Sequence, residues 1–178
     1  MLPLELAVFH AINADTATRP PVVAAALWVS QQMPWVIAGV LLALALAGSG
    51  RQRRALAQAL LAMALAWVNV QWLRHGVHVP RPGELGIGTQ WIEHAARSGF
   101  PSMHTAVAFA LASGIALGRR HRRLAWLAWV AAFAMGWSRI CLGVHFPSDV
   151  LAGALTGMLS AWCVRRVAAH SPMSIQKS

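Results

Sequence analysis

Apolar residues run along this chain in five long blocks, at about residues 22–47, 55–73, 102–117, 124–140 and 148–164. Each approaches the roughly 20 residues that an α-helix needs to cross a bilayer. They predict an all-α fold, a polytopic integral membrane helix bundle of about five spans. Ahead of them, Leu2, Leu6, Phe9 and Ile12 recur at helical spacing, with Leu4 and Val8 alongside. This block is too short to span, and predicts a helix lying in the interface that ends near Asn13 and Asp15. Residues 1–20 thus read as an interfacial helix and its linker. Ser30, Gln31, Gln32 and Pro34 interrupt the first long block, which predicts a kinked or broken helix there.

The polar intervals are short, with one exception. Residues 48–54 and 119–123 read as tight basic turns, and 167–178 as a polar cytoplasmic tail. The exception, 75–101, is rich in His, Gly and Pro, and a short helix is expected around 91–96. With 178 residues and no internal repeat, the chain reads as a single membrane-embedded domain, 1–178.

Composition sharpens this picture. Hydrophobic residues make up 57% of the chain and charged residues 11%, where a soluble domain carries roughly a quarter charged. The net charge of +10 does not point to nucleic acid, because the basic residues cluster between apolar blocks: Arg51, Arg53 and Arg54, then Arg119, Arg120, Arg122 and Arg123, then Arg165 and Arg166. That is the positive-inside pattern. Placing these clusters in the cytoplasm, with Lys177, puts ten of the fifteen Lys and Arg residues there. Arg19, Arg74, Arg81, Arg97, Arg139 and all five acids then fall at the opposite, outer face. A disulfide between Cys141 and Cys163 is not expected, since a helix would hold them about 30 Å apart. The N-terminus lacks the basic stretch of a cleavable signal peptide.

Three segments deliver polar groups to that opposite face. Arg74 and Arg81, seven residues apart at a helix end that turns through Pro80 and Pro82, could clamp one phosphate with two planar forks of donors, or snorkel to the interface. Ser102 precedes the third span as a candidate N-cap, and a helix N-terminus is an anion site. His104, in the first turn, could donate a proton to a leaving oxygen. The third segment is the most specific. Arg139 is followed six residues later by His145, and Asp149 lies four beyond that. A histidine beside a carboxylate has a fixed tautomer and a stronger nucleophilic nitrogen. Only Asp149 among the five acids falls in a motif, too few for a metal site, so no metal or cofactor is expected.

In order, these segments resemble the tripartite signature of the type 2 phosphatidic acid phosphatase superfamily: Lys-x6-Arg-Pro, then Pro-Ser-Gly-His, then Ser-Arg-x5-His-x3-Asp. The third part is complete from Ser138 to Asp149; Arg74 stands for the Lys of the first and Met103 for the Gly of the second. The Ile12-Asn13 pair, Gly86-Ile87-Gly88, His94-Ala95-Ala96 and Phe100-Pro101-Ser102 make the chain most similar to the bacterial undecaprenyl-diphosphatase branch, which includes bacitracin-resistance proteins. The resemblance implies a metal-independent hydrolase of a polyprenyl pyrophosphate lipid, undecaprenyl pyrophosphate, that recycles the cell-wall carrier. It implies His145 as the nucleophile that becomes phosphohistidine, Asp149 as its orienting partner and His104 as the acid. Arg74, Arg81, Arg139, Ser102 and the Met103 N–H would hold phosphate. A phosphatidate or phosphatidylglycerophosphate phosphatase, or a lipid phosphotransferase, would use the same residues.

Overall fold

A computed structural model describes residues 3–76, 78–93, 98–118 and 122–170. Its long regular elements among these residues are all helices: α1 (Pro3–Ile12), α2 (Pro20–Gln31), α3 (Met33–Ala47), α4 (Gly50–Gly76), α5 (Met103–Leu117), α6 (Arg122–Cys141) and α7 (Pro147–His170). Four stretches are long and apolar enough to cross a membrane: α2 with α3, α4, α6 and α7. The remaining apolar block, 102–117, forms α5, only 15 residues long. Such a helix rises about 22 Å, short of the roughly 30 Å hydrocarbon core.

α5 tolerates being short because protein surrounds it. It packs on α4, α6 and α7, and Thr105, Ala106, Phe109, Ala110, Leu111, Ala112 and Ser113 are buried. Irregular backbone at membrane depth persists only where protein or a polar cavity shelters it, and Pro101 and Ser102, which lead into α5, are both buried. α7 comes closest. A Cβ added at Gly157 would stand 2.2 Å from the Ala106 carbonyl oxygen, and one at Gly153 would stand 2.5 Å from that of Ser102. Small residues let membrane helices approach backbone to backbone, and Ala62, Ala66, Ala106, Ala110 and Ala161 continue the seam between α4, α5 and α7.

The expected interruption of the first span falls at Gln32, a single residue between α2 and α3 whose backbone stays in the right-handed helical region. Pro34 has no N–H to offer the Ser30 carbonyl, and its ring clashes with that turn. The N–H groups of Trp35 and Val36 turn to the Gln32 carbonyl instead. Beyond the break α3 is loosely held. Met33 is its one buried residue, and Val36, Val40, Leu42 and Leu46 are exposed.

Several expected boundaries move. The basic segment 48–54 is not a turn: α4 begins at Gly50 and carries Arg51, Arg53 and Arg54. The cause is a capping box, in which Gln52 Oε1 accepts the Ser49 N–H at 2.8 Å while Ser49 Oγ faces the Gln52 N–H at 3.4 Å. α7 runs six residues past its expected end, so 167–170 are helix; 171–178, and 119–121 of the second basic turn, lie outside the described residues. No helix forms at Trp91, Ile92 or Glu93, and 94–96 also lie outside the described residues. Trp91 is drawn elsewhere: its indole N–H donates to the Ala14 carbonyl at 2.8 Å and its backbone N–H to that of Leu142 at 3.1 Å. The one helical turn described in this loop is Gly83–Leu85. α1 does more than lie in the interface, since its Phe9 is buried against Phe146 with ring centroids 5.3 Å apart. Cys141 is buried, Cys163 is exposed and both are free, as their separation predicts.

Candidate active site

The site forms where α5 and α7 begin and α4 and α6 end. Ser102 donates its backbone N–H to the Asp149 carbonyl at 2.9 Å, which joins two of the sequence segments directly. The turn 142–146 between α6 and α7 requires Gly143 (φ +71°), where a Cβ would also stand 2.2 Å from the Thr89 carbonyl oxygen.

His145 and Asp149 are both almost wholly buried. His145 Nδ1 lies 3.3 Å from Asp149 Oδ2, which also accepts the Phe146 backbone N–H at 2.8 Å. On the other side of the ring, Arg81 Nη1 lies 3.3 Å from His145 Nε2 and donates to the Val144 carbonyl at 2.9 Å. A guanidinium can only donate. Nε2 is therefore the acceptor, and Nδ1 carries the hydrogen facing Asp149. This is the neutral tautomer with a lone pair on Nε2, inferred from its partners.

Three guanidiniums surround this pair, each held by a neutral acceptor. Arg74 donates to the Pro101 carbonyl at 2.8 Å, Arg81 to Val144, and Arg139 Nη1 to the Ser30 hydroxyl. Arg81 and Arg139 are buried. Burial lowers the Arg81 pKa from its ordinary value, while Asp149 and Glu84 raise it. Three cations around one buried carboxylate, with Glu84 exposed nearby, leave a positive site suited to an anion. Among the described residues no group of three His, Cys, Asp or Glu could hold a metal ion.

Ser102 and Met103 depart from expectation in different ways. Ser102 occupies the N-cap of α5, but its hydroxyl makes no capping bond. It accepts the Thr105 hydroxyl at 3.0 Å, and its N–H is committed to Asp149. Met103 is ordinary helix, so nothing at this position demands glycine, and its side chain packs toward the Ala62–Ala66 seam. The anion-facing donors of α5 are then the first-turn N–H groups of Met103, His104 and Thr105, which a helix leaves without intrahelical partners.

His104 is exposed on the first turn of α5. Among the described residues it is the one ionisable side chain along an apolar groove of about 430 Å³ between α3, α5 and α6, walled by Val40, Val107, Ala128 and Met135 among others. The structure thus gathers Arg74, Arg81, Ser102, Arg139, His145 and Asp149 at one membrane face, and sets His104 where that face meets the groove.

Four residues that steady the site were not singled out by their chemistry. Ser30 holds Arg139 from 109 positions away. Glu5 accepts the Ser148 hydroxyl and caps α7. Asn13 donates to the Thr89 and Cys141 carbonyls at 2.9 and 3.1 Å and accepts the Thr89 N–H at 2.8 Å. Gly99 leaves room for Arg81, whose Cγ would be 3.1 Å from a Cβ there. Ser30 and Glu5 carried one available signal: a polar residue inside or beside an apolar block needs a partner.

Among known families, the PAP2 superfamily matches residues 55–171. Over 167 residues, 88% of this chain and 78% of the relative, the chain is 32% identical to Escherichia coli (strain K12) YbjG, provisionally named an undecaprenyl-diphosphatase. It is 36% identical over 80 residues, 45% of this chain and 40% of the relative, to undecaprenyl-diphosphatase BcrC of Bacillus subtilis (strain 168). The crystal structure of Aquifex aeolicus LpxE superposes with a TM-score of 0.77 at 28% identity, over 93% of this chain and 96% of that one.

The Ser30–Arg139 contact yields a test. Ser30→Ala removes an acceptor from a buried guanidinium and should cost about 1–3 kcal/mol of stability. Thermal unfolding in detergent should show the loss, and Ser30→Thr, which keeps the hydroxyl, should recover most of it.

Proposed function

The chain belongs to the PAP2 superfamily and is a membrane lipid phosphatase; from that premise we propose that it hydrolyses undecaprenyl pyrophosphate to undecaprenyl phosphate and inorganic phosphate at the outer face of the bacterial cytoplasmic membrane. The observation that carries the chemistry is the bracketed ring of His145, with a carboxylate at Nδ1 and a guanidinium at Nε2. The names of the two relatives support the pyrophosphate substrate. The apolar groove beside His104 suits a long hydrocarbon tail.

In this reading the terminal phosphate displaces Arg81 from Nε2 and is held by Arg74, Arg81, Arg139 and the first N–H groups of α5. Nε2 of His145 attacks phosphorus, and the bond from phosphorus to the bridging oxygen breaks. His104 gives its proton to that oxygen as the lipid monophosphate departs. Asp149 stabilises the positive charge that develops on the ring. Water then attacks the phosphohistidine, with His104 taking a proton, and phosphate leaves. Phosphoryl transfer asks a protein mainly for positioning and charge stabilisation, and three arginines supply the charge that a divalent ion supplies elsewhere.

Phosphate release from undecaprenyl pyrophosphate, phosphatidate and phosphatidylglycerophosphate at equal surface concentration tests the substrate. The pyrophosphate should be fastest, in excess chelator as without it. A preference for either other lipid, or a strict need for a divalent ion, contradicts the proposal.

Orientation rests on the Lys and Arg asymmetry. A cysteine at exposed position 84 (Glu84→Cys in a Cys163→Ser background) should react with an impermeant reagent on intact cells. Reaction only after lysis would put the site on the inside.

The two histidines separate by leaving group. His145→Ala should abolish phosphoenzyme and turnover together. His104→Ala should slow the natural substrate by about 10²–10⁴-fold, the usual worth of acid assistance. It should slow a nitrophenyl phosphate far less, because that anion departs without a proton. Equal loss on both substrates, with phosphoenzyme surviving in His145→Ala, would reverse the assignment.

A further inference from the structure

At the membrane face opposite His145 lies a second, larger cleft, of about 890 Å³. Arg51 and Arg54 of α4, Arg122 and Arg123 of α6 and Arg165 of α7 line it. Along α4, Arg54 is about 30 Å from Arg74, at 1.5 Å per residue. None of the five acidic residues lines the cleft, and none of these arginines has an acidic partner among the described residues. The floor is apolar. Leu41, Leu44, Leu111 and Ile115 belong both to this cleft and to the groove that reaches His104.

Arginines that only set topology need to lie near helix ends on one side; nothing requires them to converge from three helices on one cavity. Here cationic forks rim a hollow whose base is hydrocarbon, which matches the division of a phospholipid into phosphate and acyl chains. We propose that this cleft is a second lipid site, which holds an anionic phospholipid by its headgroup phosphate at the membrane face opposite His145. Guanidiniums suit phosphate oxygens, and basic pockets between membrane helices are known to take acidic headgroups. The acyl chains lie along α3 over half-buried Leu41 and Leu44, beside its exposed Leu42.

The test uses the full chain in detergent, with thermal stability and native mass spectrometry as readouts. Phosphatidylglycerol should remain bound and raise the melting temperature; phosphatidylcholine and inorganic phosphate should do neither. The double variant Arg54→Gln/Arg123→Gln should bind phosphatidylglycerol about thirtyfold more weakly, at about 1 kcal/mol for each basic residue near a lipid surface. Arg54→Lys/Arg123→Lys should stay within about threefold of the parent. Should the glutamine variant fail to fold, the parent protein still decides: raising salt should weaken phosphatidylglycerol binding through screening. Equal binding of phosphatidylcholine would reduce the cleft to an apolar groove. Equal stabilisation by inorganic phosphate would make it a small-anion site. Unchanged affinity in the glutamine variant, or no effect of salt, would equally overturn the proposal.

Discussion

The Ser102 N–H meets the Asp149 carbonyl at 2.9 Å, and that meeting depends on the absence of two side chains. Gly153 and Gly157 let α7 lie so near α5 that even a methyl group would overlap a carbonyl oxygen. Each glycine lowers the intrinsic helix propensity of α7 by about 1 kcal/mol, offset by close packing along the alanine seam. The approach brings the start of α5 beside the start of α7. The donors of α5, with His145 just ahead of α7 and Asp149 in its first turn, then serve the same space. A wider separation would leave every motif residue in place along the chain and remove the site.

Charge inside the bundle follows a second rule. Arg74, Arg81 and Arg139 are fixed by two carbonyls and a hydroxyl. Neutral acceptors aim a guanidinium without cancelling it. Carboxylates in those places would bind more strongly, but would leave the cluster neutral and indifferent to phosphate. With Asp149 the buried counter-charge and Glu84 an exposed one, much of the positive potential is kept for an incoming anion, in surroundings where the low dielectric magnifies it.

Local signals made much of this legible. Apolar blocks gave the helices, Pro34 gave the break at Gln32, and the three motifs marked the residues gathered around His145. The rest depended on distant partners. Nothing near Ser30 in sequence says that it meets Arg139, and nothing near Asn13 says that it ties Thr89 to Cys141. Trp91 looked helical by its neighbours and was claimed by Ala14 and Leu142 instead. The early start of α4 was readable, because Ser49 and Gln52 have capping-box spacing, but the arginines between and after them suggested a turn. The hydroxyl of Ser102 showed the limit of motif reading: position predicted a cap, and the nearby Thr105 hydroxyl took the oxygen.

The break at Gln32 has a consequence for supply. It leaves α3 with Met33 alone buried and the rest only partly covered by α2 and α4, so the groove runs along a side of α3 that is open toward the surrounding hydrocarbon. A lipid arriving at His104 by that route keeps its tail among other tails and never has to be lifted into water. Encounter is then a two-dimensional search. Its pace follows the mole fraction of the lipid in one leaflet and its lateral diffusion, so diluting the protein in bulk buffer changes nothing while diluting the lipid within the bilayer changes everything.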